Sequence, residues 1–108
     1  MINVKFFVLD SSDISGFNLC GHSGYHKCGL DIVCAAVSSA AYMAANTLVG
    51  PMKIMADVAV DESKGTMNVM IDKKDILICR SLLNGFKIHM LFLEEMYPKN
   101  IKISYVEV

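Results

Sequence analysis

The chain has 108 residues, 54% of them hydrophobic, and its ten basic and eleven acidic side chains give a net charge of −1. A chain of this length can enclose one hydrophobic core, so we expect a single domain over residues 1–108. Because the sequence has neither a net positive charge nor a basic face, it lacks the electrostatic footprint of a nucleic-acid-binding protein. This excludes direct RNA or DNA binding as the main activity.

Two features of the composition predict a cytoplasmic protein that does not enter a membrane. The first ten residues hold one lysine and a short apolar run, too little for a signal peptide, so we expect the four cysteines to be thiols, ligands or nucleophiles rather than disulfides. Residues 32–52 carry no charge and are long enough to cross a bilayer. They are rich in alanine, which contributes little transfer free energy, and therefore predict a buried helix of a soluble protein.

The first half of the chain predicts a hairpin followed by a helix. The predicted elements are a strand covered on both faces over residues 4–9, a turn over 10–13, a strand over 14–20, a loop over 21–29 and a helix over 31–49. Asp31 suits the N-cap of that helix, and Gly50-Pro51 ends it.

The second half predicts another hairpin, another helix and a last strand. The predicted elements are a strand over residues 53–60, a turn over 62–65, a strand over 67–71, a helix from Asp72 to Tyr97 in which Asn84-Gly85 favours a bend, and a strand over 101–105. The order ββαββαβ indicates an α+β, two-layer domain, in which two long helices cover a mostly antiparallel five-stranded sheet.

Residues 20–39 hold three of the four cysteines and two of the three histidines. With Asp31 as N-cap, Cys34 is the third helical residue, where free backbone amides and the helix dipole favour a thiolate and a developing oxyanion. Cys34 is therefore a candidate nucleophile. A small buried core residue is the alternative interpretation of a cysteine on an alanine-rich helix.

His22 is the candidate proton carrier for Cys34. The twelve-residue connection can span ~40 Å if extended, and it can also fold back because it contains Gly24 and Gly29. Cys34 would attack a peptide carbonyl, His22 would protonate the leaving amine, and water would then hydrolyse the acyl-enzyme. A histidine and a cysteine flanking a glycine-containing loop also occur together by chance.

A resemblance adds to this interpretation. The run GHSGY at residues 21–25, Gly29 and the run DIVCAAVS at residues 31–38 resemble the signature of the ribosomal-processing cysteine protease (Prp) family, a GHA element followed by a DIVCAAVS-type helix start. The resemblance implies His22 as catalytic histidine, Cys34 as nucleophile and a homodimer without a cofactor. It implies that the substrate is the precursor of large-subunit ribosomal protein twenty-seven, whose N-terminal extension is removed before ribosome assembly. Ser23 departs from the family's usual alanine.

Other residues have possible supporting roles. Gly21 belongs to the GH element, Asp31 either orients His22 or only caps the helix, and Ser38, one turn after Cys34, either faces the site or bonds to the backbone. Residues 23–29 suit a mobile gate, with Gly24 and Gly29 as hinges and Tyr25 as the side chain that closes on substrate. Cys79 has no polar neighbour and is predicted to be buried in the core.

Two alternatives belong to other classes. The side chains of Cys20, His22, His26, Cys28 and Cys34 could hold zinc, although their spacing lacks the C-x2-C element of common zinc sites. A non-enzymatic dimeric interaction protein is the second alternative, and the high apolar content is its only support.

Overall fold

The computed structural model describes the backbone of residues 1–21 and 28–108 and the side chains of residues 1–21 and 32–108. The elements occur in the predicted order ββαββαβ. They are β1 (Ile2–Val8), β2 (Ile14–Cys20), α1 (Cys28–Val49), β3 (Asp57–Asp61), β4 (Thr66–Met70), a 3-10 turn (Lys73–Asp75), α2 (Ile76–Met96) and β5 (Ile101–Glu107).

The five strands form one sheet in the order β3-β4-β2-β1-β5. Three of the four neighbouring pairs are antiparallel, and β1 and β5 are parallel. The predicted α+β class with a mostly antiparallel sheet is confirmed. The strand order is additional information, because hydrophobic periodicity identifies strands without saying which of them pair.

The core lies between the sheet and the helices. Alternate residues Ile2, Val4 and Phe6 of β1 are buried. The ring of Phe86 on α2 packs 5.8 Å from that of Phe6 and 4.5 Å from that of Phe17, which joins the helix to the sheet. Lys5, on the opposite face of β1, is exposed. The prediction that this strand is covered on both faces is therefore wrong: both helices pack on one side, and a long lysine keeps its charge in solvent on the other.

The first helix starts earlier than the sequence indicates. It begins at Cys28, so Asp31 lies inside it and the predicted N-cap is wrong. Aspartate is favoured at N-caps, and it is also favoured in the first helical turn, where it faces the positive end of the helix dipole. An aspartate therefore does not show at which residue a helix begins. The predicted end is confirmed, and the amide of Gly50 donates to the carbonyl of Asn46 at 2.8 Å.

The third strand is shorter than predicted. It begins at Asp57 because residues 53–56 continue the turn after α1, where Lys53 has a φ of 55° and the amide of Ile54 donates to the carbonyl of Leu48. The turn over residues 62–65 is confirmed. In the second helix, the chain stays helical through Asn84-Gly85, and the Asn84 side-chain amide donates to the carbonyl of Arg80 at 2.9 Å.

Two stretches, Ile32–Val49 and Lys73–Met96, are long and apolar enough to cross a membrane by length and composition alone. That is a weak indication, since core helices of soluble proteins have the same character. Here each helix places apolar residues in the core, among them Val37 and Leu48 of α1 and Leu83 and Met90 of α2. The absence of membrane association remains a prediction.

Candidate active site

A cleft of about 220 Å³ lies at one end of the sheet, between α1 and the β3–β4 hairpin. Its floor is a row of side chains on neighbouring strands: Met67 of β4 pairs with Leu19 of β2 on one side and with Val60 of β3 on the other. This row is apolar because it lies on the core-facing side of the sheet. Small-molecule sites usually enclose roughly 300–1,000 Å³, so the cleft suits a short part of an extended peptide.

One wall of the cleft is the face of α1 that carries Cys34, Ser38 and Tyr42. These residues are spaced by four, and residues four apart lie on the same side of a helix. Val37 is fully buried behind them, which fixes the rotation of the helix, while Cys34 is half-buried at the cleft surface. The nucleophile candidate is therefore neither a core residue nor fully solvated.

Gly21 lines the same cleft at the end of β2. A Cβ at this position would stand 2.9 Å from the carbonyl oxygen of Met1, so the close approach of β2 to the start of β1 requires glycine. His22 is the next residue of the chain. The structure thus brings Cys34, Ser38 and Gly21 to the same cleft, and their catalytic and supporting roles stay predictions.

Most of the other predicted site residues lie outside the part of the chain that the structure describes. His22, Gly24 and Tyr25 lie outside the described residues, and the side chain of Asp31 does as well. Gly29 is part of α1, so the predicted loop over residues 21–29 ends too late by its last two residues. The physical reason is that glycine weakens a helix interior but is tolerated in a first turn.

The earlier helix start changes the electrostatics predicted for Cys34. It is the seventh residue of α1, whereas only the first four amides of a helix lack an acceptor within it. The amides that have no acceptor within this helix are those of its first four residues, 28–31, and the amide of Cys34 is not among them. Its dipole falls off within the first turn, so a thiolate at Cys34 depends on a neighbouring cation more than we expected.

The part of the cleft formed by the β3–β4 turn is acidic. Asp61 and Glu62 line it at the start of the hairpin turn. The Asp61 carboxylate accepts hydrogen bonds from the Ser63 hydroxyl at 2.6 Å and the Lys64 amide at 3.2 Å. These bonds, that of Ser63 first, hold the pKa of Asp61 below its usual value. Asp61 is therefore ionised at neutral pH and fixed in position.

Sequence reasoning missed many residues of the cleft, among them Tyr42, Val60, Asp61 and Glu62. Tyr42 had a usable signal, because it follows Cys34 by two helical turns. No local sequence signal places the three hairpin residues at the cleft, since their position beside α1 depends on the pairing of β4 with β2. That pairing joins residues about fifty positions apart.

Two other cysteines clarify the chemistry. Cys79 is fully buried in α2, and burial raises the pKa of its thiol, which confirms the prediction of a core residue. Cys20 is exposed and lines the cleft. Within residues 1–21 and 32–108, where side chains are described, no three histidine, cysteine or acidic residues are grouped to hold a metal ion. The zinc alternative involves His22, His26 and Cys28, which lie outside those ranges.

Residues 1–102 match the family model described as cysteine protease Prp. The chain belongs to this family. It is therefore a cysteine protease, and the alternative of a non-enzymatic interaction protein is set aside. No match is found among curated protein sequences.

Solved structures share the Prp fold. The essential ribosomal processing protease Prp from S. aureus, in complex with a substrate peptide, is 24% identical with a TM-score of 0.89, and the match covers 98% of this chain and 100% of that one. The same protein in complex with a covalently linked product peptide is 23% identical with a TM-score of 0.82, and the match again covers 98% of this chain and 100% of that one. SMU.848 from Streptococcus mutans is 24% identical with a TM-score of 0.85, covering 100% of this chain and 96% of that one.

Proposed function

We propose that this protein is a cytoplasmic endopeptidase that removes the N-terminal extension of large-subunit ribosomal protein twenty-seven before ribosome assembly. The observation that carries the proposal is the position of Cys34, half-buried on the wall of a peptide-sized cleft in a chain of the Prp family. The S. aureus relative is described as a ribosomal processing protease and was solved with a substrate peptide, which supports the substrate class.

The proposed chemistry uses Cys34 and His22 as a dyad. The Cys34 sulfur attacks the scissile carbonyl carbon, and collapse of the tetrahedral intermediate breaks the carbon–nitrogen bond while His22 gives its proton to the leaving amine. Neutral His22 then takes a proton from water, whose oxygen displaces the thiolate from the thioester. The thiolate leaves with the electron pair of the carbon–sulfur bond, so each step balances without a cofactor.

Three further roles belong to the proposal. Ser38 lies one turn from Cys34 on the cleft wall, where its hydroxyl is within reach of bound peptide or solvent. Asp31 orients His22. Gly24 and Tyr25 are the gating residues of the proposal, and Gly29 follows them in the first turn of α1. Slower hydrogen exchange of residues 23–27 in the presence of a non-cleavable peptide is expected, and equal protection with and without peptide would reject the gate.

The helix layer supports a homodimer. Between α1 and α2 runs a groove of about 670 Å³, and most of the residues that line it are apolar or small, Gly85 among them. Large apolar side chains flank it on both helices, with Met43 63%, Leu77 73% and Ile88 65% exposed. In the proposed dimer a second copy covers this face, because a two-fold interface uses the same patch of both subunits. A standard interface needs only about 800 Å² from each partner.

Solution mass measurements test the dimer. The wild type is expected to have twice the chain mass, and a Leu77→Glu and Ile88→Glu double variant to be monomeric and folded. Met55→Glu is the matched control, because Met55 is 85% exposed in the loop before β3. A monomeric wild type would reject the dimer, and a dimeric double variant would reject this face.

The proposed function is tested by incubating the protein with the unprocessed ribosomal protein and determining the N-terminus by mass spectrometry. One shortened product is expected with the wild type and none with Cys34→Ala. Cys79→Ala is the control, because it removes a thiol outside the cleft. An unchanged precursor with folded wild-type protein would contradict the proposal.

A further inference from the structure

The charge and shape of the cleft favour one kind of substrate side chain. Of the described residues that line it, the charged ones are Asp61 and Glu62, and both are acidic. They stand at the hairpin end, beyond the apolar floor formed by Leu19, Met67 and Val60. A peptide side chain that follows this floor meets apolar surface first and carboxylates last.

Lysine and arginine side chains match this arrangement, because they are apolar along the stem and charged at the end. Their methylene stems pack on apolar surface while the charged head stays in a polar environment. We infer that Glu62, assisted by Asp61, selects peptide substrates that place a lysine or arginine side chain at the hairpin end of the cleft. The inference rests on the proposed function and adds a specificity determinant to it.

The two carboxylates contribute differently. Asp61 already accepts hydrogen bonds from Ser63 and Lys64, so its charge is held in place by the turn. A change at Asp61 would alter the turn as well as the charge. Glu62 lies in the turn and is exposed, so its side chain can adjust to the incoming cation. Glu62→Gln is therefore the informative variant, because it removes charge and keeps shape.

The expected effect is modest because the pair is formed near solvent. Exposed ion pairs stabilise by up to about 1 kcal/mol, which corresponds to about a fivefold change in kcat/KM. The preference should weaken as salt increases, since salt screens charges of this kind. A single substrate peptide would not reveal this preference, so the position of the lysine has to be varied along the peptide.

The experiment uses peptides of the precursor's cleavage region with norleucine in place of every basic residue, and a single lysine returned to successive positions. One lysine position is expected to raise kcat/KM for the wild type two- to fivefold. Glu62→Gln should lose that gain. Glu62→Lys should reverse the preference, so that a peptide with glutamate at the same position is cleaved faster than the lysine peptide. Glu107→Gln on β5, at the other edge of the sheet, is the matched control.

The outcomes separate the inference from the proposed function. Cleavage with no lysine preference, or a preference that persists in Glu62→Gln and Glu62→Lys, overturns the inference and leaves the protease intact. The affinity of the same peptides for Cys34→Ala protein is measured in parallel. If the wild type cleaves nothing but the lysine peptide still binds two- to fivefold more tightly through Glu62, the proposed function fails and the inference stands.

Discussion

Gly21 approaches the start of β1 so closely that a Cβ on it would stand 2.9 Å from the carbonyl oxygen of Met1. The contact is with backbone, which cannot rotate away as a flexible side chain can. This places the end of β2 at a fixed position beside the cleft. The glycine of the GH element is thus explained by packing as well as by sequence resemblance.

Gly21→Ala is expected to destabilise the fold by about 1–3 kcal/mol, the usual cost of overpacking, and to lower cleavage more than stability alone explains. Gly85→Ala is the matched control, and the stabilities of both variants are compared in the Leu77→Glu and Ile88→Glu background because Gly85 lines the groove of the proposed dimer. An added Cβ there meets nothing within 4 Å, and alanine favours a helix interior over glycine, so this variant should gain about 0.5–1 kcal/mol. Thermal unfolding measures both. Equal stability of the two variants would contradict the close approach.

Cys34 is expected to be the cysteine that iodoacetamide modifies fastest at pH 6. An ordinary thiol is almost fully protonated there, whereas a thiolate paired with an imidazolium remains reactive. Cys79 should be protected, because it is fully buried and burial raises its pKa. Peptide mapping after timed alkylation gives the order. Equal reactivity of Cys20 or Cys28 would remove the support for Cys34, and His22→Ala should slow the reaction of Cys34 if the pair exists.

His22→Ala is expected to lower kcat by 10²–10⁴-fold through the loss of proton transfer. His26→Ala and His89→Ala should stay within a few-fold of the wild type, with His89 on α2 as the control outside the residue 20–39 region. Steady-state kinetics with a fluorogenic peptide provides the measurement. A larger loss for His26 than for His22 would mean that the dyad has the wrong histidine.

The ion pair between Asp13 and Arg80 should make stability depend on pH. Arg80 donates two hydrogen bonds to the Asp13 carboxylate, at 2.8 and 2.9 Å, and these lower the pKa of Asp13. Because the folded state lowers this pKa, the contribution is present above the ordinary carboxyl value of about 4 and is lost as the pH falls through the folded-state value.

Asp13→Asn is therefore expected to lower the melting temperature slightly at pH 7 and low salt, and to have no effect near pH 2. The decrease in melting temperature is small because the ion pair is near the surface, where solvent and salt screen it. Differential scanning calorimetry of both proteins at several pH values checks the trend. A difference that grows as the pH falls would contradict the assigned sign.

The sequence predicted which parts of the chain form helices and strands better than it predicted their partners. Apolar alternation in β1, β2 and β4 and the Gly50-Pro51 stop are local signals, and the structure confirms the elements they indicate. The start of α1 was missed because Asp31 suits both an N-cap and a first turn. The acidic end of the cleft could not be predicted, because only the pairing of Met67 with Leu19 brings the hairpin to α1.

The most direct test of the central claim is to trap the acyl-enzyme. The protein is mixed with the precursor, quenched in acid within the first turnover, and examined by intact mass and peptide mapping. We predict a mass increase equal to the released N-terminal segment, located on Cys34 and absent from Cys34→Ala. Cleavage that continues in Cys34→Ala, or an adduct on any other residue, would contradict the assignment of Cys34 as the nucleophile.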